Sequence, residues 1–297
     1  MPDIPHDTGF VEVADRCWVA RHAWYDVNVG VIGGEHGLLV LDTHASARAA
    51  RVVADQVRAL PGEVVGVVNT HEHADHTFGN GVLRQPGHPT GRRTVPVYAH
   101  ETAAARTLAA GDAAKQAYDA RSDDPHRAEV QETEVVTADR TFSSAMAVDL
   151  GDRFVELVHP GRGHTGGDLI ALVGDVDVVF AGDLVEESSL HSGVPGFGDD
   201  CYPFEWPGTL DLVIGLLTPR TVVVPGHGLP VGKEFVEEQR GAIGVVAETI
   251  RDLASRMVPV GEALGAASWP YPAEELGHAV RRGYEHLPRA ARSLPLI

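Results

Sequence analysis

With 297 residues, 43% of them hydrophobic and 22% charged, the chain is long enough to bury a sizeable core and has the composition of a globular protein. Its 42 acidic residues outnumber 24 basic ones, a formal charge of −18, and a field of that sign disfavours nucleic acid and anionic membrane surfaces as partners. A small anionic substrate is not excluded, because bound dications reverse the local potential. Cys17 and Cys201 are too few for a disulfide framework. The start, "MPDIPHDTGF", lacks the basic and apolar regions of a signal peptide, and no run reaches the ~18 apolar residues of a membrane helix. The expectation is a soluble, cytoplasmic protein.

In chain order, "FVEVADRCWVA" and "VNVGVIGG" alternate as strands do, and "HGLLVLD" follows a Gly-Gly turn. "SARAARVVADQVRAL" has helical spacing and stops at Pro61-Gly62. "EVVGVVNT" reads as a buried strand, so the His-rich stretch after it begins where a strand ends, a place where loops carry chemistry. A short helix at about 79–83, a polar stretch at 85–94 and the strand "VPVYA" come next. Residues 101–137 are Ala-rich, helical and charged, and read as an insertion. Strands resume with "MAVDL", "FVELVHP", "LIALVG" and "VDVVFAGD"; helices are expected at 207–217 and 233–257, with the strand "TVVVPGHG" between them. A helical C-terminal extension, interrupted by "WPYP", is expected over about 236–297. With neither repeat nor low-complexity linker, residues 1–297 read as a single α/β domain: two sheets covered by helices on their outer faces.

The segment "NTHEHADHTFGN" places His71, His73, Asp75 and His76 within six positions. His71 and His73, two apart in an extended segment, point the same way and can hold one ion, while Asp75 and His76 lie past the turn and can face a second. The helix-borne zinc protease motif fails, since Asp75 stands where its second histidine belongs. Three further candidates fall at strand ends beside glycines: His164 in "GRGHTGGD", Asp183 closing "VVFAGD", and His227 in "PGHG". Imidazole and carboxylate without thiolate suit zinc, iron or manganese. A lone HxH pair is usually chance; four such loops in one chain favour a metal centre. The other eleven of the sixteen histidines, His44, His100, His159 and His191 among them, read as structural or solvated. The glycines of "GRGHTGGD" read as tight turns that let His164 approach the metal.

"HEHADH", followed in order by "GHTGGD", "FAGD" and "PGHG", resembles the metallo-β-lactamase superfamily and its HxHxDH motif over roughly residues 10–235. The resemblance implies a four-layer αβ/βα sandwich with two Zn2+ (or Fe or Mn) at one edge of the sheets. His71, His73 and His164 would then bind the first ion, Asp75, His76 and His227 the second, and Asp183 would bridge them. A hydroxide held between the ions would be the nucleophile, oriented by Asp75 as the catalytic carboxylate. Asp183 favours the glyoxalase II/lactonase-like branch, since β-lactam-cleaving members typically carry another residue there. The expected activity is hydrolysis of an ester, lactone or thioester of a small molecule; a mononuclear-iron dioxygenase of the persulfide dioxygenase type and a β-lactam-hydrolysing member are the alternatives. Asp42 reads equally as a support for a ligand imidazole or as a strand-end cap. Trp24, Tyr25, Phe78, Phe197, Tyr202 and Phe204 are candidate pocket walls. Substrate and oligomeric state have no readable code.

Overall fold

A computed structural model describes residues 3–85, 94–188 and 193–287. The first half of the chain forms β1 (Val11–Ala14), β2 (Cys17–His22), β3 (Val27–Gly34), β4 (Gly37–Leu41), α1 (Ala47–Val57), β5 (Val64–Val68), α2 (Ala74–Thr77), α3 (Asn80–Leu83), β6 (Val97–His100), α4 (Glu101–Asp119), α5 (Arg127–Glu132) and β7 (Arg140–Phe142). The second half forms β8 (Ala145–Asp149), β9 (Phe154–Val158), β10 (Ile170–Val173), β11 (Val178–Glu186), α6 (Trp206–Leu216), β12 (Val222–His227), α7 (Lys233–Ser255) and α8 (Gly277–His286), with 3-10 turns at Ala263–Ala266 and Ala273–Leu276.

Two sheets were expected, and the strands run as one path, β7-β6-β5-β4-β3-β12-β11-β10-β9-β8, with β2 also paired to β3 and β1 to β2. The halves meet at a single residue pair, His227 with Val27. They act as two layers because their facing sides share one apolar core. Val19, Ile32, Leu39 and Leu41 come from the first half, and Leu157, Leu169, Ala171 and Phe180 from the second. Each such Val, Leu, Ile or Phe side chain stabilises the fold by about 1.5–3 kcal/mol when fully buried.

The outer faces are covered by helices whose apolar stripes match them. Val53, Ala54 and Val57 of α1 pack on Val29, Val31 and Val40. Trp206, Leu210, Ile243 and Ile250 of α6 and α7 pack on Val179, Ala181 and Val223. The result is the expected four-layer α/β/β/α sandwich. Ser46 starts α1 by accepting from the Ala49 N–H at 3.0 Å. The strand β7 follows the insertion and was not foreseen, since three residues are too short for a periodic signal. Among the described residues, no helix is long and apolar enough to cross a membrane.

Candidate metal centre

β5 ends at Val68, and the five residues that follow lead into α2, so His71 and His73 lie on the extended segment and Asp75 and His76 on the first helical turn. His73 is itself the residue preceding the helix, with extended backbone. The loop bearing His164 is held by Asp168, whose buried carboxylate accepts from the N–H groups of Gly163 and Thr165 and from the Thr165 hydroxyl. Leu169 N–H donates to Thr70 O at 2.8 Å, which seats this loop beside His71. Asp183 lies within β11 rather than at its end. A register shift there, with Gly182 at φ +52 against the Thr70 side chain, turns the carboxylate toward the histidines.

All seven predicted residues converge. His71, His73, His164 and Asp183 form one group and Asp75, His76 and His227 another, with the candidate ligand atoms of each within 4.8 Å of one another. Asp183 Oδ2 lies 3.1 Å from His227 Nε2, 3.4 Å from His164 Nε2 and 3.7 Å from His71 Nε2, while His76 Nε2 lies 3.3 Å from Oδ1. Asp75 Oδ2 is 3.3 Å from His76 Nε2 and 3.4 Å from His227 Nε2.

Each imidazole is held by its other nitrogen. His76 Nδ1 meets Asp42 Oδ2 at 2.8 Å, His227 Nδ1 meets Tyr25 O at 2.8 Å, and His164 Nδ1 meets Gly196 O at 2.7 Å. His73 Nε2 meets Asp200 Oδ2 at 3.2 Å, and His71 Nδ1 meets the Thr70 hydroxyl at 3.1 Å. An imidazole that donates at one nitrogen presents a lone pair at the other, and these lone pairs face one another. His73 Nδ1 and His164 Nε2 are 2.9 Å apart, and His76 and His227 Nε2 are 3.3 Å apart. Facing acceptors repel unless a cation lies between them. His71 Nε2 and Asp183 Oδ1 are buried with no hydrogen-bond partner, a cost of about 1–3 kcal/mol each that a bound cation removes. This donor set fits a metal.

The charges agree. Burial disfavours the Asp183 carboxylate, yet His227, His76 and the other imidazoles hold its pKa well below the usual range. Burial likewise opposes protonation of His73 and His227, but Asp200 raises the first to about 9 and Asp183 the second to about 10. His71, desolvated and beside His76, is pushed well below its ordinary value. Without metal, the cluster therefore binds protons in the cation's place.

Gly226 shows how tightly the backbone closes on this centre: a Cβ there would run into Asp183 Oδ1. Gly226→Ala is expected to displace the carboxylate and destabilise the fold by about 1–3 kcal/mol, measurable as a lowered denaturation midpoint together with reduced metal uptake.

Asp42 supports an imidazole. Its buried carboxylate accepts from Thr70 N–H and the Thr70 hydroxyl and holds His76. Of the candidate aromatics, Tyr25 and Phe197 line the cavity over the centre, about 490 Å³ in volume, whereas Phe78 is buried against Tyr118. The extension beyond α7 supplies a wall of that cavity with Glu274, Glu275, His278 and Arg281. His44 packs against His22 in a tilted ring pair and His100 stacks on His159, away from the cluster's ring contacts; His191 and most of the polar stretch at 85–94 lie outside the described residues. Sequence reasoning missed Glu186, buried near Asp183 and raised to about 8 by desolvation and by that neighbour. It also missed Asp200, which lies 127 positions from His73 and carries no motif. Glu72, buried between the first two histidines, was in plain view as the E of "HEH".

The sequence model of the metallo-beta-lactamase superfamily matches residues 22–227. A type 2 metallo-beta-lactamase of Bacillus cereus is 24% identical over 238 residues, covering 76% of this chain and 79% of its own length. Its namesake from Bacteroides fragilis is 22% identical over 220 residues, covering 74% and 76%. Among solved structures, a stereoselective inverting sec-alkylsulfatase from Pseudomonas sp. superposes with a TM-score of 0.72 at 17% identity over 93% of this chain. The chain spans 50% of that sulfatase's length. A metallo-beta-lactamase from Pontibacter korlensis superposes with a TM-score of 0.60 at 20% identity, covering 79% and 98%.

Proposed function

The chain belongs to the metallo-beta-lactamase superfamily, and on that premise we propose that it is a zinc-dependent hydrolase that cleaves an ester, lactone or thioester of a small molecule. The observation that carries the reading is the inward-facing set of unshared lone pairs on His71, His73, His76, His164 and His227, each backed by an acceptor or hydroxyl on its other side. On this reading His71, His73 and His164 would hold one ion, Asp75, His76 and His227 would hold the second, and Asp183 is placed to serve both. The same reading takes residues 1–297 as one domain, supported by the continuous strand path and by the extension lining the cavity.

When bound, the two ions supply a water acidified to a pKa near 7 and an electrophile for the substrate carbonyl. The chain's own residues do the rest. Asp75, with Oδ2 3.3 Å from His76 Nε2 and 3.4 Å from His227 Nε2, is the carboxylate that would orient the attacking water and take up its proton. Asp42, Asp200 and the carbonyls of Tyr25 and Gly196 pair with the outer nitrogens and so aim the inward ones at the centre. Tyr25 and Phe197 exclude water from one side of the cavity. The aspartate at position 183 favours carboxylic ester-type substrates over β-lactams, on the family pattern.

Elemental analysis of the purified protein tests the reading. Two zinc per chain in wild type, falling towards one in Asp75→Ala, supports the dinuclear hydrolase, and a panel of lactones, thioesters and phosphodiesters then identifies the bond cleaved. One iron per chain moves the assignment to the dioxygenase alternative, and no metal in either protein sinks both. Because the Asp200 carboxylate raises His73 to about 9 and the Asp183 carboxylate raises His227 to about 10 in the absence of metal, zinc must displace protons. Zinc affinity is therefore expected to climb as pH rises from 6 towards 9, with proton release measurable by calorimetry in buffers of different ionisation enthalpy.

A further inference from the structure

Arg106, on the inserted helix α4, reaches back to the metal motif. Its Nε donates to Glu72 Oε1 at 2.6 Å, and its Nη2 donates to Asp200 Oδ2 at 3.2 Å. That same Oδ2 lies 3.2 Å from His73 Nε2. Glu72 is fully buried, and its Oε2 has no hydrogen-bond partner, nor has Asp200 Oδ1. Two carboxylates thus flank one histidine, and Arg106 is the cation that spans them. A guanidinium fork can hold two carboxylates in fixed directions, which neither water nor an ammonium point charge does.

The root of this fork is anchored. The start of α4 lies so close to the His164 loop that a Cβ on Gly167 would meet Ala103 N. Thr102 N–H donates to His100 Nδ1 at 3.2 Å, fixing the first turn. Asp200, for its part, belongs to the loop whose Gly196 carbonyl holds His164 Nδ1. Arg106 therefore ties together the insertion, the HEH segment and the 196–200 loop.

The geometry points to Arg106 as a positioning residue: by clamping Asp200 and Glu72 it aims His73, so that the inserted helix sets how tightly the His71–His73–His164 half of the centre holds its cation. The inference rests on the metal reading above, but it concerns residues outside the ligand set.

Zinc titration against a competing chelator, on the full chain, tests it. In Arg106→Met, one zinc equivalent is expected to bind about 10- to 100-fold more weakly, the range for losing an outer partner of a ligand, with the other equivalent changed by no more than about twofold. Arg106→Lys should recover part of the loss, since an ammonium offsets the charge without holding both carboxylates. Arg106→Met also strands the buried Glu72 charge, so the double variant Arg106→Met/Glu72→Gln is measured beside it. Weakened zinc binding in the double variant, with thermal stability restored, supports aiming of His73 through Asp200. Unchanged affinity in Arg106→Met, or full recovery in the double variant, overturns the inference and leaves the metal reading standing. Wild type that binds no zinc at all overturns both.

Discussion

Asp183→Asn is expected to lower turnover of any substrate by more than the 100-fold that bounds the loss of a ligand's outer partner, with metal content falling at the same time. The carboxylate approaches four imidazoles, at 3.1 Å from His227, 3.3 Å from His76, 3.4 Å from His164 and 3.7 Å from His71. An amide of the same shape leaves one oxygen and no charge to serve both halves of the centre, and its NH2 group would face a bound cation or nitrogens whose lone pairs that cation occupies. Asparagine should therefore disturb chemistry more than folding. The measurement is steady-state kinetics alongside elemental analysis. A variant that retained both its metal and its rate would remove Asp183 from the proposed bridge.

The second large effect belongs to Asp42. Its side chain accepts three hydrogen bonds at 2.8 Å, from Thr70 N–H, the Thr70 hydroxyl and His76 Nδ1. The residue adopts φ +60, a conformation that L side chains other than Asn and Asp rarely take. Asp42→Ala strands a buried amide and leaves His76 free to rotate. The expected destabilisation is about 3 kcal/mol, from unsatisfied groups that cost roughly 1–3 kcal/mol each. Zinc should bind about 10- to 100-fold more weakly in the half of the centre that uses His76. Asp42→Asn, which keeps the shape and one accepting oxygen, should recover most of the stability and less of the affinity. Chemical denaturation and chelator competition separate the two effects. Equal recovery of both would mean that Asp42 only caps the end of β4.

The line between local and long-range information runs through the centre itself. His71, His73, Asp75 and His76 were legible because ligands that share one turn must be spaced by that turn's geometry, and the spacing is written in six consecutive residues. His164, Asp183 and His227 were legible because each needs a close backbone approach. The glycines that permit it, Gly226 against Asp183 above all, mark their positions in the chain. Strand and helix periodicity was enough for the layers, since the burial of β3 and β11 is continuous and that of α1 is confined to one stripe. Sequence could not say that β11 runs on past Asp183 to Glu186, because a bulge depends on its partner strand. Nor could it pair Asp200 with His73, choose between the two roles open to Asp42, or bring Arg106 from the insertion to the metal motif. Those contacts join residues whose types are common and whose separation is set by the fold. A ligand's identity is local chemistry, whereas the direction in which it is held is a property of tertiary packing.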